Sequence, residues 1–364
     1  MSFSLFRKAP KFWERRGPTS LLLWPLSWVY GVILRARKLI QDLDIIKTQP
    51  APVPIIIVGN IRVGGTGKTP IVISLAERLS ELGWHPGIIS RGYGADTQTA
   101  PMLVTTDSDP RLVGDEPVLI AKRTHNQFPL YVYPKRKQSI AALLDAHPQV
   151  DVIISDDGLQ HTGLVRWPAR EGGRDVEFVV RDQRGEGNGF LLPAGPLREP
   201  QTRERDATLI MGSAASLTAK ADEYFLGRRA FTLRPHFGRP YQLNNPQAYK
   251  TLDDMNLAYS GKSGRTRITA VAAIGNPQRF FGDLEKHGLK IKGIGLPDHS
   301  GFTGDFFEKI DADCILITEK DAVKCRAIND ARIWVVPMHL NIPEGLLEWL
   351  QTILHRPDPN RYTL

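Results

Sequence analysis

The stretch that most constrains the fold is residues 55–82. It opens with a continuous apolar run, Ile55-Ile56-Ile57-Val58, passes through Gly64-Gly65-Thr66-Gly67-Lys68-Thr69, and continues with apolar residues at helical spacing over 70–82. A run with no polar alternation is what a strand buried on both faces of a parallel sheet requires. Glycines at 64, 65 and 67 let backbone N–H groups turn toward a polyphosphate without interference from a Cβ, and the next helix points its positive end at the same anion. Lys68 is placed to reach β and γ phosphates, and Thr69 to offer a hydroxyl to Mg²⁺. Strand, loop and helix therefore stand in the order that a nucleotide's phosphates need.

The full pattern GxxxxGK[ST] is not met, because Arg62 takes the place of its first glycine. The loop resembles instead the GGxGKT variant of the P-loop NTPases, so Arg62, Val63, Gly64, Gly65, Thr66, Gly67, Lys68 and Thr69 form the expected ATP-binding segment. Further α/β units follow, with short strands at 87–90, 102–104 and 130–133 and a helix at 139–146. The next strand, 150–155, ends in Asp156-Asp157-Gly158. A P-loop sheet keeps a carboxylate there, beside the phosphate loop, so Asp156 is a candidate Mg²⁺ ligand. Neighbouring side chains on an extended segment point opposite ways, so Asp156 and Asp157 should not share one task. A second acidic pair, Asp115-Glu116, sits at an expected helix start, where carboxylates often only complement the dipole.

Composition sets the outer limits. The 364 residues allow two lobes and carry a formal charge of +8, which favours anionic partners: nucleic acid, phosphorylated metabolites or an anionic membrane. Cys314 and Cys325 are the only cysteines, spaced for neither a CxxC redox motif nor a zinc knuckle, as in a reduced cytoplasmic setting.

The N-terminus is different. Lys8, Lys11, Arg15 and Arg16 precede an apolar run over 21–34 that holds Trp24, Trp28 and Tyr30, and Arg35, Arg37 and Lys38 close it. No small-residue cleavage site follows. The run is shorter than the roughly 20 apolar residues of a spanning helix and is interrupted by Pro25 and Gly31. Basic flanks with indole and phenol rings suit a helix lying in the headgroup region, the alternative being a terminal helix docked on the protein's own core.

Around residue 190 glycine and proline are dense, fixing a rigid loop near a ligand. There Arg198 either meets a phosphate or pairs with Glu199 in solvent. At this point VGGTGKT, RGYG (91–94), GDEP (114–117), DDGLQH (156–161), LLPAGPLREP (191–200), PDHSGF (297–302) and TEKDAVK (318–324) occur together and in order. The chain resembles the tetraacyldisaccharide 4′-kinase family, the lipid A kinases of Gram-negative bacteria. One departure is the stretch 166–174, longer than the family pattern and read as a surface insertion.

The resemblance implies transfer of the ATP γ-phosphate to the 4′-hydroxyl of a tetraacyldisaccharide 1-phosphate, forming lipid IVA, with ATP and Mg²⁺ required. It implies a P-loop-type parallel sheet with helices on both faces, a second smaller α/β lobe joined by a hinge, and an N-terminal membrane-associating helix. The expected divisions are 1–49, 50–212 and 213–364. Partners are an anionic acylated disaccharide and the cytoplasmic face of the inner membrane, with no nucleic acid and no obligate protein partner. Carried over, Asp115 is the base and His299 its partner, with Asp157 an alternative proton acceptor. His299 could reach the cleft only if the lobes close. Glu116 joins Asp156 and Thr69 around Mg²⁺, and Arg136 and Arg198 are candidates to stabilise transferring charge, the alternative being a solvated basic face. The main rival is a nucleotide-driven switch or chaperone. Such proteins often carry a lysine before the paired glycines, where this chain has Val63.

Overall fold

The computed structural model describes residues 10–42, 50–92, 99–161, 164–212, 223–259 and 267–356. Lys8, and Tyr93 and Gly94 of RGYG, lie outside them.

An N-terminal helix, α1 (Pro18–Asp42), precedes the first lobe. There β1 (Ile55–Gly59) is buried along its whole length. Ile56 and Val58 pack on one side with Ile71 and Leu75 of α2 (Lys68–Glu81), and Ile55 and Ile57 on the other with Leu143. Two covered faces are why the run carries no polar residue. The chain continues through β2 (Pro86–Ser90), β3 (Met102–Val104), α3 (Pro110–Val113), α4 (Asp115–Arg123), β4 (Leu130–Val132), α5 (Arg136–Ala146), β5 (Val152–Asp156), β6 (Val176–Arg181), β7 (Ala207–Met211), β8 (Glu223–Phe225) and β9 (Arg228–Phe237).

The second lobe comprises β10 (Tyr241–Gln242), β11 (Asn245–Tyr249), α6 (Leu252–Tyr259), β12 (Ile268–Ala272), α7 (Pro277–Lys286), β13 (Ile291–Gly295), α8 (Gly304–Glu308), β14 (Cys314–Thr318), α9 (Glu319–Lys324) and β15 (Ile333–Val336). Its six-stranded sheet runs β11-β10-β15-β14-β12-β13. The chain then returns to the first lobe as β16 (Met338–Asn341) and α10 (Glu344–Leu354). The first sheet has ten strands in the order β16-β9-β7-β6-β1-β5-β2-β4-β3, with β8 paired to β9.

This topology corrects the expected boundary at 212/213. β8, β9, β16 and α10 belong to the first lobe, and Leu346 and Leu350 of α10 share its core with Phe231 of β9. The second lobe is thus an insertion entered through 238–240 and left at Pro337, where Gly238 N–H donates to the Pro337 carbonyl at 2.9 Å. The stretch around 230 forms a ten-residue strand, β9. Nor is 166–174 a mere surface insertion: Arg166 points inward, donating to Glu177 at 2.6 Å and to the Gly158 carbonyl at 2.8 Å.

α1 is inside-out. Ser20 and Ser27 are buried while Leu22, Trp24 and Trp28 are exposed. The Ser27 hydroxyl donates to the Leu191 carbonyl at 2.7 Å and accepts from Ala194 N–H at 3.0 Å, and the Tyr30 hydroxyl donates to the Arg198 carbonyl at 3.1 Å. The helix continues through Pro25 and Gly31, so the length argument against spanning fails: Pro18–Arg37 is long and apolar enough to cross a membrane by length and composition.

Candidate active site

β1 and β5 lie side by side, with Val58 opposite Asp156. The phosphate loop therefore leaves one strand directly beside the carboxylate ending the next. Gly64 and Gly67 hold φ of 104° and 85°, which a residue with a Cβ resists. The buried Asn60 shapes the loop from beneath, its amide donating to the carbonyls of Arg62 at 2.7 Å and Gly64 at 3.2 Å. Arg184 braces it from outside by donating to the Gly65 carbonyl at 2.7 Å. Lys68 Nζ rests 3.4 Å from both Asn60 Oδ1 and Asp157 Oδ1. Thr66 and Thr69 are buried in the same loop and helix start.

Arg62 and Val63 are displaced from the expected cradle. Val63 N–H donates to the Pro196 carbonyl at 2.9 Å, and the Arg62 guanidinium turns to the carbonyls of Arg184 and Gly185 and to Glu14. Arg62 thus locks the loop to its neighbours.

Asp156 is fully enclosed, and burial, with Glu116 adding to it, pushes its carboxyl up to about 7. Its Oδ1 has no hydrogen-bond partner. Burial would raise the carboxyl of Glu116 as well, but Lys320 and then Lys68 hold it down at about 2. Asp157 does not point away as an extended residue would. Its φ of 52° ends the strand and turns the carboxylate to Lys68 and to Arg198, 3.8 Å away. Arg136 is no solvated cation: it is buried, donates to the Asp156 carbonyl at 2.6 Å, and is lowered to about 10 by burial. It supports the strand end from within.

The second lobe completes the cleft. A Cβ on Gly275 would lie 2.4 Å from the Gly65 nitrogen, so backbone meets backbone at the phosphate loop. His299, at φ 62°, places Nδ1 3.2 Å from Asp115 Oδ2. The two are already in reach, and no further closure is needed to join them. Lys320 of α9 lies 2.9 Å from Glu116 Oε1 and 3.2 Å from Asp298 Oδ1.

Among the described residues no group of three or more His, Cys, Asp or Glu forms a metal cage. A Mg²⁺ ion asks for less: one or two carboxylates, a hydroxyl and phosphate oxygens. Asp156, with its unpartnered buried oxygen, fits that donor set together with Thr69 and Glu116.

A family model described as Tetraacyldisaccharide-1-P 4′-kinase matches residues 19–355. The chain belongs to this family. As such it is an ATP-dependent phosphotransferase. The kinase is 70% identical over 367 residues to the Tetraacyldisaccharide 4′-kinase of Polynucleobacter asymbioticus and 68% identical over 370 residues to that of Polynucleobacter necessarius, covering 100% of both chains in each case. It also resembles the crystal structure of LpxK from Aquifex aeolicus in complex with ATP, with a TM-score of 0.70 and 26% identity over 92% of this chain and 99% of that one. The family match does not favour the switch or chaperone reading.

Several residues of the kinase's cleft escape a reading by spacing. Asn60 follows a strand as any polar residue might, and only its two carbonyl contacts reveal its work. Lys320 and Asp298 lie within quoted motifs, yet no local pattern says that Lys320 joins Asp298 to Glu116 of the other lobe.

Proposed function

We propose that this kinase transfers the γ-phosphate of ATP to the 4′-hydroxyl of an anionic tetraacyldisaccharide 1-phosphate, yielding lipid IVA, at the cytoplasmic face of the inner membrane. The observation that carries the reading is the Asp115–His299 contact of 3.2 Å, formed between lobes beside a phosphate loop. The sugar oxygen attacks the γ-phosphorus, the bond to the β–γ bridging oxygen breaks, and ADP leaves with that oxygen. The hydroxyl proton passes to Asp115, which His299 orients. Lys68 and the loop's N–H groups hold the phosphates in line, and Arg198, whose position 3.8 Å from Asp157 supports the reading, meets the transferring charge. Bound Mg²⁺, held by Thr69, Asp156 and Glu116, would neutralise charge on the β and γ phosphates.

The apolar face of α1 supports attachment to a lipid surface, because an exposed run of Leu and Trp flanked by cations is stable only against lipid or protein. The hydrogen bonds of Ser27 and Tyr30 keep the body alongside the helix, which favours a helix lying in the interface. No nucleic acid and no protein partner enters this scheme. The test is incubation with γ-labelled ATP, Mg²⁺ and the disaccharide 1-phosphate in detergent. Label in the lipid is expected; label delivered only to another acceptor overturns the assignment.

A further inference from the structure

The TEKDAVK segment has no role in the scheme above, yet its helix makes close ties between the lobes. Lys320 Nζ lies 2.9 Å from Glu116 Oε1 on the first lobe and 3.2 Å from Asp298 Oδ1 on the second. Glu116 directly follows Asp115, and Asp298 directly precedes His299. One ammonium therefore grips the chain neighbour of each member of the Asp115–His299 pair.

The flanking residues fix α9 so that Lys320 has a firm base. Glu319 accepts from Arg123 with both carboxylate oxygens, at 2.8 and 2.7 Å, and from Met338 N–H at 3.0 Å. Asp321, fully buried, accepts from Ala273 N–H at 3.1 Å and from the Thr318 hydroxyl at 2.8 Å. Ala273 opens the turn that sets Gly275 against Gly65. Lys320 itself is 15% exposed, and although burial opposes its charge, Glu116 and Asp298 raise its pKa. A buried ionic triad is costly to desolvate and is best attested where it fixes one arrangement over others.

We propose that Lys320 is a positioning residue, which holds Asp115 and His299 in register across the lobes by binding Glu116 and Asp298 at once. The proposal rests on the phosphoryl-transfer reading above. Without the ammonium, two carboxylates face each other across the cleft and repel, moving the pair apart. A misplacement of about 1 Å is enough to cost about 100-fold in rate.

Two measurements test it on the full chain in detergent. The first is a double-mutant cycle for lipid phosphorylation. Lys320→Met should lower kcat about 100-fold with little change in the KM for ATP, Lys320→Arg should recover part of the loss, and Lys320→Met should cost less than about tenfold in a His299→Ala background. The second is the distance between spin labels at Glu81→Cys and Glu285→Cys, both exposed and one on each lobe; the native Cys314 and Cys325 are buried. The distribution should be narrow with Lys320 and displaced or broadened without it. This readout needs neither ATP nor acceptor, so it stands even if the assigned reaction fails. Lys320→Gln serves both tests should the methionine variant not fold. Full multiplicativity with His299→Ala, or an unchanged distance distribution, overturns the proposal.

Discussion

Replacing Gly275 with alanine should slow the kinase about 100-fold while leaving it folded. A Cβ at this position lies 2.4 Å from the Gly65 nitrogen and 3.0 Å from its Cα, where ordinary contact begins near 3.4 Å. The obstacle is main chain, so no side chain can swing aside, and the gap must widen by about 1 Å. The backbone of Gly275 is not left-handed, so alanine brings no strain of its own. Relief comes from a shift of the phosphate loop or from parting of the lobes, and both move the γ-phosphate away from Asp115 and His299. Overpacking of this kind costs about 1–3 kcal/mol of stability. Misplacing reacting atoms by about 1 Å costs about 100-fold in rate, or about 2.7 kcal/mol of barrier. The control is Gly282→Ala within α7, where a Cβ meets nothing within 4 Å and alanine should stabilise the helix by about 1 kcal/mol. Steady-state lipid phosphorylation and thermal melting of both variants decide the matter. A Gly275→Ala enzyme with kcat within about threefold of the parent would refute the view that this contact sets the competent geometry.

Lys68→Met removes the cation shared by Asp157 and Asn60 and should reduce kcat/KM for ATP by at least about 1000-fold, with loss of binding of a fluorescent ATP analogue. Serine at Leu22, Trp24 and Trp28 together should release the protein from anionic vesicles in a flotation assay while leaving its melting temperature unchanged, since all three side chains are exposed. His339, held down at about 4 by burial and then by Arg123, stays neutral in the fold at pH values where the unfolded chain is protonated. Its contribution to stability is whole above about pH 6.5 and is lost as pH falls through about 4, so the melting temperature of His339→Asn should decline less over that window.

The first lobe was legible wherever one local pattern carried the fold. Ile55 to Val58 announce a doubly covered strand, and the glycines at 64 and 67 announce the left-handed turns found there. The domain boundary was not legible, because β16 and α10 return to a sheet whose other strands lie a whole lobe earlier in the chain. Hydrophobic spacing describes an element and not the sheet it joins. The direction of Asp157 was misread for a smaller reason: alternation holds only while a strand lasts, and β5 stops at Asp156, so the turn at φ 52° falls on Asp157 itself. For Arg136 the sequence left a charge-stabilising role and a solvated basic face both open, because its neighbours are lysines, and the contact under Asp156 excludes the second.

The docking of α1 changes how a water-soluble form of this kinase should be made. Trimming the N-terminus would remove the greasy face, but it would also take away Ser27 and Tyr30, which hold the 191–198 segment and through it the main chain of Arg198. A shortened protein that dissolves well and turns over nothing would say little about lipid, because a brace would have been lost with the anchor. Recoding only the outward residues, and keeping Ser20, Ser27 and Tyr30, separates the two effects.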